Sequence, residues 1–311
     1  MKIYTDWRAL PAAARGASVA LGNFDGVHKG HAAVLRAAHA ARPDAPRAVL
    51  TFEPHPREFF RPQDPPFRLT LAAERAAILE SLGVDILYQI PFDAAFAHLT
   101  AEAFVQEVLF QGAGAAHLSC GADFAFGHRR GGDVAFLAAR AETLGMGLSV
   151  VPAVTDAEGP ISSTRIRRLL QEGYPERAAD LLGRPHSIRG VVEHGDARGR
   201  TIGFPTANIR LGRHLEPQRG VYAVTAHLGG ALVKGVANIG LRPTVGGTES
   251  RLEVHFLDFA GDLYGQEIAV RLRHFLREEQ KFPSFEALKA QIARDAAAAR
   301  HALDALPGPA A

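Results

Sequence analysis

Residues 17–41, ASVALGNFDGVHKGHAAVLRAAHAA, decide the reading of the first half of the chain. ASVALGNF (17–24) is a short apolar run of buried-strand character, Gly22 to His31 is a glycine-punctuated turn, and AAVLRAAHAA has helical periodicity. A strand, a glycine-rich turn and a helix in succession bring backbone N–H groups and the positive end of a helix to one place, where an anion is stabilised. Working outward, RAVLTF (47–52), VDILYQI (84–90) and GLSVVPAV (147–154) read as further buried strands, and another ends at Gly121. Helical patterns fall between them, near 30–41, 71–82, 101–110 and 133–144. This alternation predicts a Rossmann-like α/β domain: a parallel sheet covered by helices on both faces, with ligands at the carboxyl ends of the strands.

The texture changes after Leu182, where Gly183-Arg184-Pro185 breaks a helix. GVYAVTAHL (220–228), ALVKGVANI (231–239), RLEVHFLDF (251–259) and EIAVRLRHFL (267–276) are strands punctuated by turn residues, the pattern of a small antiparallel β-barrel. A terminal helix should start at Ser284, capped by its hydroxyl, and lay Phe285, Leu288, Ile292 and Leu303 against the barrel. The expected fold is α/β plus β, with domains at 1–184 and 185–311.

A chain of 311 residues is long enough for two cores. Thirty-five basic against 33 acidic side chains leave a formal charge of +2, so there is no electrostatic footprint for nucleic acid or an anionic membrane. The single cysteine, Cys120, has no disulfide partner and no base beside it in sequence, and reads as a small buried residue. The opening MKIYTDWRALPAAARG lacks the features of a secretory signal, and no run approaches the ~18 apolar residues of a membrane span, so the expected address is the cytoplasm.

The turn Gly22-Asn23-Phe24-Asp25-Gly26-Val27-His28-Lys29-Gly30-His31 offers Gly22, Asn23, Phe24, Gly26 and Gly30 as a nucleotide cradle. His28 and His31, three apart at a helix start, share a face and can both donate to phosphate oxygens. The competing reading is a glycine turn with two surface histidines. ISSTRIR (161–167) opens another helix, and Ser163, Thr164 and Arg167 suit the β and γ phosphates of ATP; alone, it is also an ordinary capped basic helix. His55, between two prolines, and Asp123, in Gly121-Ala122-Asp123-Phe124-Ala125-Phe126-Gly127, stand at strand ends where a second substrate should lie. In the second half, GDARGRTIGFPTAN (195–208) combines a loop containing Gly199 and Gly203 with Thr206 and Asn208, two apart and able to offer oxygens to a phosphate-bound Mg²⁺. Glu253, on the polar face of RLEVHFL, can take a proton from an alcohol attacking the γ-phosphate of ATP, although glutamates on strand surfaces are common; His255, on the same face, reads as structural.

The glycine-rich histidine motif, Pro-His-Pro, Gly-x-Asp-Phe-x-Phe-Gly and ISSTRIR, in this order, resemble the nucleotidyltransferase module of prokaryotic bifunctional riboflavin kinase/FMN adenylyltransferase, the FAD synthetase family. GFPTAN, NIGLRPTV, LEVHFLDF with its downstream LYG, and LREEQKFPSFEALKAQIARD are similar to that family's riboflavin kinase module. The resemblance implies that Asn23, His28, His31, Asp123, Ser163, Thr164 and Arg167 handle FMN and ATP, with His28, His31 and Arg167 catalytic. Some family members carry Asn where Asp123 stands, which separates its role from that of the other six. It also implies that Thr206 and Asn208 bind Mg·ATP and that Glu253 is the base for the ribityl 5′-hydroxyl. The implied activity converts riboflavin and ATP to FMN and ADP, then FMN and ATP to FAD and diphosphate. It uses Mg²⁺ with ATP and no permanently bound cofactor, and any homo-oligomer would be transient. Two alternatives stand beside it: a single-activity nucleotidyltransferase with the barrel as a flavin-binding specificity domain, and a non-catalytic flavin-binding regulator.

Overall fold

The computed structural model describes residues 1–194, 205–244 and 247–304, which form two compact units. The first comprises Met1–Pro65 and Thr70–Ser162. Its strands are β1 (Lys2–Tyr4), β2 (Ser18–Leu21), β3 (Arg47–Glu53), β4 (Ile86–Pro91), β5 (His117–Gly121) and β6 (Gly147–Val151), followed by a short ribbon of β7 (Thr155–Asp156) and β8 (Gly159–Pro160). The helices are α1 (Lys29–Ala41), α2 (Pro56–Phe60), α3 (Ala72–Ser81), α4 (Ala94–Ala97), α5 (Ala101–Ala103), continued by a π-helical segment over Phe104–Gly112, and α6 (Val134–Thr143). The strand order β1-β4-β3-β2-β5-β6 is parallel throughout.

Strand β2 is buried along its whole length because helices cover both sheet faces. Ala20, Val49 and Leu87 pack with Val34 and Ala38 of α1 and Leu79 of α3 on one side. Val19, Leu50 and Tyr88 pack with Phe104, Val108 and Leu137 on the other. From β2 the chain builds outward to β3 and β4, and from β5 it builds the other way to β6. The topological switch point therefore lies between β2 and β5, and the loops leaving their carboxyl ends, at Gly22 and Gly121, flank the crevice where such sheets bind ligands.

The second unit comprises Pro66–Leu69 and the described residues from Ser163 onward. Helices α7 (Ser163–Gln171) and α8 (Pro175–Leu182) precede strands β9 (Ser187–Val191), β10 (Ala207–Arg210), β11 (Gly220–Leu228), β12 (Ala231–Thr244), β13 (Gly247–Phe256) and β14 (Glu267–Arg277), and helix α9 (Phe285–Asp304) follows. The strands are antiparallel in the order β10-β13-β12-β11-β14-β9, and a bridge in which Glu193 N–H donates to Asn208 C=O at 2.8 Å joins the two ends into a nearly closed barrel. Tyr222, Val224, Ile239, Leu252, Val254 and Leu272 fill its interior.

Compact packing begins the second unit at Ser163, whereas the sequence reading divides the chain after residue 184. The intervening α7 and α8 pack on the barrel side: Gln218 N–H donates to Leu170 C=O at 2.9 Å, and His274 Nδ1 lies 2.6 Å from Glu176 Oε1. Gly183, at φ 77°, ends α8 in the left-handed conformation that favours glycine.

Ser284 caps α9 as expected, its hydroxyl accepting from Ala287 N–H. Of the expected docking stripe, Leu303 is buried against the barrel, and the rest differs. Phe285 is 53% exposed, and the buried positions of α9 are Asp295, Ala299 and Leu303. Ala299 and Leu303 pack on Val221, Ala223 and Val236 of the outer barrel wall. Asp295 is buried because Arg277 donates to both its carboxylate oxygens, at 2.9 and 2.7 Å, and Gln291 adds a third bond.

Candidate active sites

The turn after β2 is built from strained backbone held by distant side chains. Phe24 and Val27 have positive φ, 51° and 41°, although neither is glycine, and both side chains are buried. Gly26 (φ 84°) takes a conformation that a side chain would resist. Thr51 Oγ1 and Arg75 Nη1 donate to Asn23 C=O at 2.9 and 3.3 Å, while Gly26 N–H donates to Thr70 Oγ1 at 2.9 Å. Buried Asp25 accepts from Thr70 N–H at 3.0 Å. Phe24, expected among the nucleotide contacts, turns its ring into the core, 4.9 Å from that of His31. Its contribution to a site is the shape of the turn.

His28 and His31 cap α1 reciprocally. His28 Nδ1 accepts from His31 N–H and His31 Nδ1 accepts from His28 N–H, each at 3.3 Å, a capping box made by two imidazoles. The rings stack with centroids 3.7 Å apart and planes 17° from parallel. With each Nδ1 accepting, the neutral rings carry their protons on Nε2, so the pair is organised as two N–H donors at a helix start. Gly30 keeps this possible: a Cβ there would stand 3.0 Å from His28 Cε1 and Nδ1 and 3.4 Å from Ile161 O.

The neighbouring β3 end repeats the device. His55 caps α2, its Nδ1 accepting from Arg57 N–H at 3.1 Å while its own N–H donates to Glu58 at 3.0 Å. The segment is therefore a helix start, more than a proline-stiffened loop. Arg75, wholly buried, ties the two strand ends together: besides Asn23 C=O it donates to Phe52 C=O at 3.2 Å and pairs with Glu53 at 3.1 Å. Beyond them lies an aromatic cluster in which Phe92 meets Phe52, Phe59 and Phe60 at centroid distances of 5.5, 5.5 and 5.6 Å, and Phe60 is 63% exposed. Neither Arg75 nor this cluster was singled out from sequence.

Asp123 is exposed just beyond β5, across the switch point from the histidine turn. Phe124 and Phe126 stack at 5.4 Å, with Phe126 buried, so they serve the core. Cys120 is fully buried; burial, then the nearby Asp123 charge, push its thiol up to about 11, which removes it as a nucleophile near neutrality. In the second unit, Ser163 and Thr164 start α7, and Arg167 Nε donates to Phe67 C=O at 2.8 Å with its guanidinium 5.1 Å from the Phe67 ring centroid.

On the barrel, three strands align one polar row. Asn208 of β10 stands opposite Glu253 of β13, which stands opposite Asn238 of β12. Residues directly opposite in antiparallel strands project from the same face. Their strand neighbours Ala207, Ile209, Leu252, Val254, Ala237 and Ile239 point into the barrel, so the row faces outward. Asn208 Nδ2 is 3.4 Å from both Thr206 O and Thr206 Oγ1, which orients its Oδ1 the other way. His255 Nδ1 is 3.0 Å from Pro205 O, consistent with a structural role. Gly199 and Gly203 lie outside the described residues.

A protein-family model for FAD synthetase matches residues 10–165, and one for riboflavin kinase matches residues 182–303. The chain is 45% identical over 290 residues to the bifunctional riboflavin kinase/FMN adenylyltransferase of Escherichia coli K12, covering 92% of each chain. It is 37% identical over 286 residues to that of Bacillus subtilis, covering 89% of each. A crystal structure from Streptococcus pneumoniae, described as a macrolide-efflux protein, is 35% identical with a TM-score of 0.85, over 96% of this chain and 98% of that one. Its description differs from those of the curated relatives, and the motifs here follow the latter. Among the described residues no helix is long and apolar enough to cross a membrane.

Proposed function

The chain belongs to the bifunctional riboflavin kinase/FMN adenylyltransferase family and makes FMN from riboflavin and ATP, then FAD from FMN and ATP; we propose how its residues divide that work. The adenylyltransferase chemistry is assigned to 1–184 and the kinase chemistry to 185–311.

In the kinase, Glu253 accepts the proton of the ribityl 5′-hydroxyl as that oxygen attacks the γ-phosphorus of ATP, and the bond to ADP breaks. The observation that carries this assignment is the register that sets Glu253 beside Asn208 on the outer barrel wall. Thr206 and Asn208 fit Mg²⁺: both bring neutral hard oxygens, and the Asn208 amide nitrogen is turned toward Thr206. Bound there with ATP, the ion would neutralise phosphate charge.

In the adenylyltransferase, an FMN phosphate oxygen attacks the α-phosphorus of ATP and diphosphate leaves. The Nε2 donors of His28 and His31 stabilise charge gathering on the α-phosphate, and the turn through Gly22, Asn23, Gly26 and Gly30 lets backbone approach it. Ser163, Thr164 and Arg167 are assigned to the departing phosphates. The exposed Phe60 edge of the aromatic cluster, beside His55, offers a flat apolar seat for the flavin ring, and Asp123 offers an acceptor for ribityl hydroxyls. The enzyme is assigned to the cytoplasm, acting on diffusible flavins and ATP without nucleic acid or membrane, with self-association transient at most.

Incubating the full chain with riboflavin, ATP and Mg²⁺ and separating the flavins by chromatography tests the division. FAD should accumulate through FMN, and Glu253→Gln should form no FMN from riboflavin while still converting supplied FMN to FAD. Failure of that variant to convert supplied FMN to FAD would overturn the assignment.

A further inference from the structure

The polar row on the barrel has a third member that the kinase mechanism has not used. Asn238 is half-buried on the outer wall, directly opposite Glu253, with Asn208 on the far side of the carboxylate. Two carboxamides thus bracket the base. Each has its nitrogen turned to a neighbour: that of Asn208 lies 3.4 Å from Thr206, and that of Asn238 lies 3.4 Å from Glu279 Oε1.

Gly240 explains how Glu279 reaches this position. A Cβ at residue 240 would lie 2.3 Å from Glu279 Oε1 and 3.0 Å from Asn238 Nδ2, so the bare glycine leaves room for the carboxylate to lie over β12. Glu279 follows the end of β14 and is otherwise exposed. A carboxylate accepts only, so the NH₂ group of Asn238 is the end facing it, and Oδ1 faces away. The row then reads Asn208 oxygen, Glu253 carboxylate, Asn238 oxygen. One end suits a hard cation; the other meets no assigned partner in the reaction. An unbroken line of acceptors fits a molecule that carries a line of hydroxyl donors.

We propose that Asn238, oriented by Glu279 over Gly240, accepts a hydrogen bond from a secondary hydroxyl of the ribityl chain and so aligns the 5′-hydroxyl with Glu253. The inference rests on the kinase assignment above. Asn238 contacts substrate, and Glu279 is a positioning residue acting through it.

The test is steady-state kinetics on the full chain with Mg·ATP, using riboflavin and its 2′-, 3′- and 4′-deoxyribityl analogues. One neutral hydrogen bond is worth roughly 2- to 12-fold, so Asn238→Ala should raise the riboflavin KM by about that factor and leave the ATP KM unchanged. One deoxy analogue should show the same loss with the parent enzyme and no further loss with Asn238→Ala. Glu279→Ala should move the riboflavin KM in the same direction. FMN adenylylation by the same preparations reports that each variant is folded. An unchanged riboflavin KM, a rise in the ATP KM instead, or losses that multiply for every analogue would overturn the proposal. Undiminished FMN formation by Glu253→Gln would instead overturn the kinase assignment beneath it.

Discussion

Gly30→Ala perturbs the adenylyltransferase through one methyl group. The new Cβ would stand 3.0 Å from His28 Cε1 and Nδ1 and 3.4 Å from Ile161 O. Carbon atoms rest about 3.5–4.0 Å apart, so the His28 ring must retreat by roughly 0.5 Å or tilt. Retreat stretches the bond from His31 N–H, already 3.3 Å, and disturbs the ring stack at 3.7 Å. Catalytic groups tolerate about 0.5 Å of misplacement, and 1 Å costs on the order of 100-fold. FAD formation from FMN should therefore fall roughly 10- to 100-fold.

Stability should move little, and in no fixed direction. Alanine is favoured over glycine by up to about 1 kcal/mol inside a helix, and a displaced imidazole costs about 0.5–1.5 kcal/mol. Gly30 is the second residue of α1, and no positive φ adds strain. The assay compares three quantities on one preparation: FAD formed from FMN, FMN formed from riboflavin, and the thermal midpoint. A selective loss of the first supports placement of His28 as the limiting feature. FAD synthesis within about threefold of the parent, with the protein folded, would refute it.

Glu253→Gln should abolish FMN formation and leave FMN-to-FAD conversion near the parent rate, measured by flavin chromatography. Arg75→Ala should lower urea stability by about 3 kcal/mol, because removing this wholly buried guanidinium leaves the partly buried Glu53 carboxylate and two carbonyls without that donor; a change under about 1 kcal/mol would contradict the tie between the two strand ends. Cys120 gives a pH signature: its thiol is raised from 9.0 to about 11 in the folded chain, so its contribution to stability is complete below pH 9 and is lost as pH rises toward 11. Stability of the parent relative to Cys120→Ala should fall by about 2–3 kcal/mol across that window, and a flat difference would show that the thiol is not buried as described.

The strands and helices that position both sites could be read locally, because apolar alternation and helical periodicity are local signals. GVYAVTAHL coincides with β11, and the pattern near 30–41 with α1. Strand β1 escaped notice because it has only three residues and Ile3 is half exposed, leaving no apolar run to detect. The α9 stripe is legible at Leu303 but not at Asp295, for a different reason. Asp295 occupies a buried position that polarity argues against, and it is chiefly Arg277, 18 residues earlier and on another element, that makes that burial tolerable. The packing of α7 and α8 was hidden in the same way, since Gln218 and His274 on the barrel side decide it.

At the sites, sequence supplied the residue types and the structure supplied their polarity. His28-x-x-His31 occupies capping-box spacing with imidazoles where hydroxyls and carboxylates are usual, so each ring accepts on Nδ1 and carries a donor on Nε2. Asn208 and Asn238 carry the opposite arrangement, nitrogens turned to Thr206 and Glu279 and oxygens turned elsewhere. The first set is an array of donors, which on the proposed assignment meets phosphate. The second is an array of acceptors around a carboxylate, which on the proposed assignments would meet a cation and hydroxyls. Both polarities are imposed by neighbours: backbone amides for the imidazoles, Thr206 and Glu279 for the carboxamides. Substituting those neighbours should therefore alter the chemistry of each site even where the residues that touch substrate are unchanged, and Glu279→Ala is the variant in which that consequence is most directly measured.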